Sequence, residues 1–393
     1  VGHDGGLNFT TNDGGEWTEI TGPLPITQLY KIGQSAISQD VILYGQQDNG
    51  SNALAGGVLT TVRGGDGTEC LVDYTSENYC YNTYVQGDIS RSVTGPAGFY
   101  SNVGSTGTNG IGSEESGAWV TPYFLDKTNP SVMFAGYQNV FRCDNIKASP
   151  SSSVTWTAIS SGESETCRVM EQSAANTDIL YVYRLNAVNK LQRTDNAGDS
   201  PASVSWTICS LPVASPITDL KTHPTDENIV YAAAGTSIYK SVDKGITWSD
   251  MDPLVSLPDL FINCLVIDKN SNEGIYIGNQ AGVWYKDATM TSWMLFSTGL
   301  PPVDIRELEI FYDPTGTQHR LKAATYGRGL WQSDLFESGV LNPTGFEAEV
   351  SSNTSIDLTW ALSQGNEVLL AYNTSPTFGN PVDGSSYTPT IPG

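Results

Sequence analysis

Positive charge is what this 393-residue chain has least of: 19 Lys and Arg stand against 42 Asp and Glu, a formal net charge of −23. Charged residues of either sign make up only 16% of the sequence, against roughly 25% in ordinary soluble domains. A field of that sign repels phosphate backbones and anionic lipid headgroups, so nucleic acid is a poor partner. Long apolar runs are missing as well. No stretch of 18 apolar residues occurs, so no helical membrane span is expected. A signal sequence is lacking too, yet Val1 is not a translation start and the chain opens in mid-pattern, so an upstream segment is expected to precede it.

Histidine is confined to His3, His223 and His319, and the six cysteines include no C-x-x-C pair. Zinc clusters are therefore excluded, and no metal is expected to build the fold. Cys70 and Cys80 flank the turn in ECLVDYTSENYC symmetrically, which leaves a cross-strand disulfide and two buried thiols as equal alternatives. No G-x-S-x-G, P-loop, dinucleotide fingerprint or H-E-x-x-H motif is present, which removes serine hydrolase, nucleotide-binding and zincin readings. Apolar residues at helical spacing are also missing, while β-branched and aromatic residues alternate repeatedly.

What the chain has in quantity is glycine (40), tyrosine (19) and tryptophan (9), arranged in a repeat. Two strand patterns around a polar turn recur from Ile26, Glu69, Trp119, Arg168, Ile217, Ile262 and Leu308, at spacings of 43 to 50 residues. A third strand follows each unit, and usually a fourth ending in tryptophan, as in SIYKSVDKGITWSDM. Such a period suits a four-stranded blade. The expected fold is all-β: a propeller of seven blades, or at most eight, over 1–336.

Ser241-Val242-Asp243-Lys244-Gly245-Ile246-Thr247-Trp248 fits the Asp-box pattern S-x-D-x-G-x-T-W at every position. Thr11 to Trp17 fits one residue short, with Asp13 in the acidic place, and looser units surround Asp144, Asp195 and Asp287. In these loops a short carboxylate accepts backbone N–H groups, glycine permits positive φ and tryptophan packs between blades. With VGHDGGLNFTTNDGGEW, GQQDNGS, RGGDG and LKAATYGRGLWQSDLF, the chain resembles secreted Bacteroidetes-type proteins with sortilin-like propellers, within a superfamily that also holds xyloglucanase-like hydrolases. The resemblance implies a structural role for Ser241, Asp243, Gly245, Thr247, Trp248, Asp13 and Trp17. It also implies export by the type IX route and an extracellular or outer cell-surface location.

At the ends, the Glu16–Ile20 segment is expected to complete the last blade, the alternative being an eighth, partial blade. Residues 337–343 read as a linker, and 344–393 resemble the opening half of a fibronectin type III domain around Trp360, part of a β-sandwich cut short. Asp4, Asp48 and Asp66 each sit in a glycine-rich loop, and Asp4-Gly5-Gly6 is similar to the D-x-G-G turn bearing a catalytic aspartate in xyloglucanase-like propellers. The leading expectation is a non-catalytic module that binds a glycan or protein at a cell surface, with further domains of the same polypeptide on both sides. An inverting glycoside hydrolase using two of these aspartates is the rival, and a calcium ion held by the same loops is the lesser expectation.

Overall fold

The computed structural model describes residues 1–3, 6–20, 26–187, 190–316 and 318–336, together with the backbone of two later strands. Seven antiparallel sheets follow one another along the chain and form a seven-bladed β-propeller. Within each blade we call the strands a to d from the axis outward.

Blade one is Leu29–Gln34, Ile42–Gln46, Gly50–Ala55 and Val58–Arg63, and blade two Gly67–Val72, Cys80–Tyr84, Asp88–Ser92 and Ser101–Gly104. Blade three is Tyr123–Leu125, Met133–Gly136, Val140–Cys143 and Thr157–Ala158. Blade four is Val169–Gln172, Leu180–Tyr183, Leu191–Thr194 and Thr207–Ile208. Blade five is Ile217–Thr222, Val230–Ala234, Ser237–Ser241 and Ser249–Asp250, and blade six Ile262–Asp268, Gly274–Asn279, Gly282–Lys286 and Met294–Leu295. Blade seven has three strands among the described residues, Asp304–Phe311, Arg320–Tyr326 and Gly329–Asp334.

The b strands carry the core. A blade packs between two neighbours, so its second strand is covered on both faces and its sequence runs apolar instead of alternating; Val230–Ala234 and Gly274–Asn279 are buried throughout. An aromatic occupies the second position of four b strands, Tyr81, Phe134, Tyr181 and Tyr231, and the third of another, Tyr276, all fully enclosed.

The a strands pose a different problem, because their inner edge faces the axis with N–H groups that no further strand can accept. Carboxylates from the preceding blade take several of them. Glu171 accepts the Thr222 amide at 3.3 Å, Asp219 that of Leu265 at 2.9 Å, Glu307 that of Ile32 at 2.5 Å and Glu309 that of Gln34 at 2.7 Å. The last two join blade seven to blade one, and a Gln28–Tyr326 bridge adds to them.

This closure corrects the expectation for Glu16–Ile20. Thr18–Glu19 pairs with Gly6–Phe9, which pairs in turn with Gly2–His3, in a separate three-stranded sheet. The reason is register: the Thr10–Trp17 loop returns the chain onto Phe9, the strand it has just left. The chain divides into two units at Leu335/Phe336. In the second, Thr344–Ser352 and Ser355–Ala361 pair antiparallel; the rest of 344–393, and the 337–343 linker, lie outside the described residues.

Candidate binding face

The two ends of the ring are built by different rules. At one end lie the a–b turns and the c–d loops, which repeat. Asp73, Asp126, Asp268 and Asp313 each accept a backbone N–H two residues on, at 2.7, 2.9, 3.0 and 3.1 Å; in blade five His223 Nδ1 takes the same place, at 3.3 Å from the Thr225 amide. Such Asx-type turns fold locally and need no partner.

The c–d loops repeat too. Asp243 accepts the amides of Ile246 and Thr247 at 3.1 and 2.8 Å, the Thr247 hydroxyl at 2.6 Å and the Ser241 hydroxyl at 2.8 Å. The Thr247 and Ser241 bonds hold its carboxyl down at about 2. Gly245, at φ 83°, donates to Ser241 Oγ at 2.8 Å.

The same geometry recurs from Thr10. Thr10 Oγ1 donates to Asn12 Oδ1 at 3.0 Å, Gly14 N donates back to Thr10 Oγ1 at 3.1 Å, and Glu16 N donates to Asn12 Oδ1 at 2.8 Å. Asn12 therefore occupies the place assigned above to Asp13, which instead stands at φ 55° where the other loop has Lys244 at 59°. In blades three and four the role again falls to asparagine. Asn145 accepts Thr155 N at 2.9 Å and Asn196 accepts Ser205 N at 3.1 Å, while Asp144 and Asp195 turn back to Arg142 and Arg193, each at 2.8 Å. An amide oxygen accepts as a carboxylate does, and the signal was the eight-residue length from Thr10 to Trp17, equal to that from Ser241 to Trp248.

The tryptophans that end these loops reach the preceding blade. Trp156, Trp206 and Trp248 donate their indole N–H to the carbonyls of Val103, Ile159 and Ser210 at 2.8, 2.8 and 3.1 Å. Trp248 is half-buried, not enclosed.

At the opposite end of the ring, the b–c loops and the d–a connections do not repeat. Asp48 and Asp66 meet there, but through backbone: the Asp48 amide donates to Asp66 Oδ1 at 2.7 Å. Asp48 sits at φ 60° and Gly50 at 74°, and a Cβ on Gly50 would fall 1.9 Å from the Arg63 carbonyl. Asp66 thus braces a tight loop, and one of its oxygens is already engaged. Asp4 lies outside the described residues, so of the three aspartates two are brought together.

Beside this brace stands a cluster that sequence reasoning left without a role. Gln47 Oε1 accepts the hydroxyls of both Tyr30, at 2.9 Å, and Tyr326, whose rings lie 5.8 Å apart. The Arg306 guanidinium stacks over Tyr326 at 4.7 Å and pairs with Asp304 at 2.8 Å. Asp304 also accepts Asn263 Nδ2 at 2.5 Å. Burial pushes the Tyr30 hydroxyl up, opposed by a hydrogen bond from Trp119. Trp119 itself is 47% exposed, and Phe261, on the connection into blade six, is 51% exposed. Gln47 lies next to Asp48 in GQQDNGS and Tyr326 opens YGRG, so both were in view as pattern residues and not as a surface.

Six cysteines are free and buried. Cys70 and Cys80 are not bonded: Cys70 lies opposite Asn82 and Cys80 opposite Val72, so the thiols are diagonal neighbours, farther apart than the roughly 4 Å between Cβ atoms that a disulfide requires. Among the described residues no group of three His, Cys, Asp or Glu is placed to hold a metal ion.

No family model and no curated protein matches the sequence. Solved structures do match, at identities that speak to fold alone. An ancestral GH74 enzyme superposes with TM-score 0.60 at 13% identity, over 86% of this chain and 49% of that one. YCF48 from Cyanidioschyzon merolae does so with TM-score 0.56 at 9% identity, over 79% and 97%. Chaetomium thermophilum Sqt1 bound to the N-terminus of the ribosomal protein L10 gives TM-score 0.53 at 13% identity, over 80% and 89%. The chain spans about half the length of the GH74 chain. It has the fold of a seven-bladed β-propeller, which enzymes and non-enzymatic propellers share.

Proposed function

We propose that this chain is a binding module which captures a segment of another protein on the face carrying Trp119, Phe261 and the Tyr30–Gln47–Tyr326–Arg306 cluster. The observation that carries the reading is the asymmetry of the ring. One end is made of self-contained turns, with one loop geometry recurring in blades three, four and five. The other is made of unlike connections that leave large aromatics in solvent beside stacked and hydrogen-bonded polar groups. Aromatic and arginine side chains held rigid by their neighbours are what hot spots use.

A protein ligand is favoured over a glycan because two propellers of this fold, Sqt1 and YCF48, are described with a bound protein N-terminus and a bound peptide. The Asp-box resemblance supports placing the module outside the cell. Hydrolysis is disfavoured because Asp66 is engaged by the Asp48 amide, whereas an inverting pair needs two free carboxyls with room for water between them.

The test is a screen of the chain against peptide and glycan arrays, repeated with Trp119→Ala and Tyr326→Ala. A peptide hit weakened at least about tenfold by either substitution supports the reading. Glycan hits alone, or sugar release from β-glucans or xyloglucan that is lost in Asp66→Asn, would replace it.

A further inference from the structure

Blade seven differs from its six sisters in having no fourth strand among the described residues. The sisters define what such a strand looks like. In blade four Gln192 and Arg193 pair with Ile208 and Thr207, in blade five Tyr239 and Lys240 with Asp250 and Ser249, and in blade six Trp284 and Tyr285 with Leu295 and Met294. A tryptophan directly precedes each of these d strands: Trp206, Trp248 and Trp293. The b–c hairpin of blade six closes at Asn279–Gly282 and that of blade seven at Thr325–Gly329. Trp331 and Gln332 therefore hold the positions that a d strand would pair.

The space beside that edge is open. A groove of about 470 Å³ runs between blades seven and one, lined by Ile42, Leu54, Gly57, Lys322, Leu330 and Trp331 among others. Register identifies its counterpart, since Ile42 faces Leu54 as Val230 faces Ser241. Between blades four and five that region holds Cys209 and Trp248, which pack with Leu191, Val230 and Tyr239. Blade one offers no such filler: its c–d connection is the turn at Gly56 and Gly57, and its d strand, Val58–Arg63, has no tryptophan. Asp40 and Lys322 line the groove as well. Lys322 is 3% exposed, and its ammonium donates to Gln332 Oε1 at 2.5 Å.

We propose that the open edge of blade seven is a strand-addition site: an extended segment of another polypeptide, led by a tryptophan with an apolar residue three positions on, as Trp206 and Cys209 stand in blade four, pairs antiparallel with Gly329–Asp334 and puts that apolar residue into the groove. Added strands gain affinity from main-chain hydrogen bonds and specificity from side-chain pockets. Here the tryptophan reaches blade six, as Trp206 and Trp248 reach the blades before theirs, and the groove takes the apolar residue that follows the paired two. The site lies on the outer part of the ring and does not depend on the binding face described above.

A suitable probe is the heptapeptide GGEWTEI, the sequence of residues 14–20, whose Thr18–Glu19 already forms a short outer strand led by Trp17. Titrated into the whole chain and followed by calorimetry, it is expected to bind one to one. Replacing its tryptophan by alanine, N-methylating its backbone, or filling the groove with Leu54→Trp should each weaken binding at least about tenfold, while Trp119→Ala leaves it unchanged. Thermal melting of Leu54→Trp verifies that the variant is folded. Absence of binding at millimolar peptide, equal binding of the N-methylated peptide, or sensitivity to Trp119→Ala without sensitivity to Leu54→Trp would each overturn the proposal.

Discussion

At the residue scale, the c–d loops separate two jobs that the sequence pattern runs together. The acceptor at the third position organises the loop, and the tryptophan that closes the loop ties the blade to its predecessor. Trp156 is 3% exposed and bonded to Val103, whereas Trp17 is 52% exposed. Trp156→Ala is therefore expected to cost about 3–5 kcal/mol, as large aromatic truncations in cores do, and Trp17→Ala to leave the denaturation midpoint nearly unchanged. Urea unfolding of both variants checks this, and similar losses in the two would refute the distinction. The loop acceptors were only half legible in the sequence. Ser241–Trp248 matches the pattern letter for letter, but Asn12, Asn145 and Asn196 do not, because the pattern specifies a carboxylate where any short acceptor serves. Cys143 even stands where the other loops have Ser or Thr, with its thiol donating to Asn145 Oδ1 at 3.3 Å.

At the scale of the strand, the ring's weakest seam is the one joining its first and last blades, because no covalent neighbour holds it. Glu307 carries much of that seam, accepting the Ile32 amide and pairing with Lys31 at 2.8 Å. Removing one partner of a largely buried pair leaves the other uncompensated, so Glu307→Ala is expected to cost about 3 kcal/mol. Its loss should appear first as faster hydrogen exchange in Leu29–Gln34, ahead of the other a strands. Uniform acceleration across all blades would mean the seam is not the weak point. The propeller and the order of its strands could be read from period alone, since each blade repeats the same local instruction, while the choice between seven blades and eight could not. The seam could not, because it depends on residues 275 positions apart. The assignment of Glu16–Ile20 to the last blade missed for the same reason: a hairpin partner about ten residues away wins over one about three hundred residues distant, given the entropy of loop closure.

On the scale of the whole molecule, the axis is where an acidic protein concentrates its hardest electrostatic problem. Glu171, Asp219, and Glu307 with Glu309 point from the a strands of blades four, five and seven toward the amides they accept, with Lys31, Lys221 and Lys127 set among them as counter-ions. Glu69, on the a strand of blade two, faces Lys31 and Lys221 but also Glu307, and burial dominates, pushing its carboxyl up to about 8. Glu309 is raised as well, by burial first and then by Glu307. A carboxyl whose value is raised on folding binds its proton more tightly in the native state. Its contribution is complete below the unfolded value near 4.5 and is lost as pH climbs through the folded value of about 8. Lys31 and Lys221 are raised by their carboxylate partners against the opposing effect of burial, so their contribution fades only above the ordinary lysine value of 10.5. Asp243 loses its contribution only as pH falls toward about 2. Within pH 4.5–8 the axial carboxyls therefore dominate, and the ring should be most stable at the acidic end of that window. The melting temperature is expected to fall steadily from pH 5 to pH 8.5 at fixed ionic strength. Glu69→Gln, which keeps the shape without the titrating proton, should flatten that slope and melt higher than the parent at pH 8.5. A parent whose melting temperature rises across the window, or a Glu69→Gln profile parallel to it, would mean that Lys31 and Lys221 hold Glu69 ionised and that the axis is a salt-bridged network throughout.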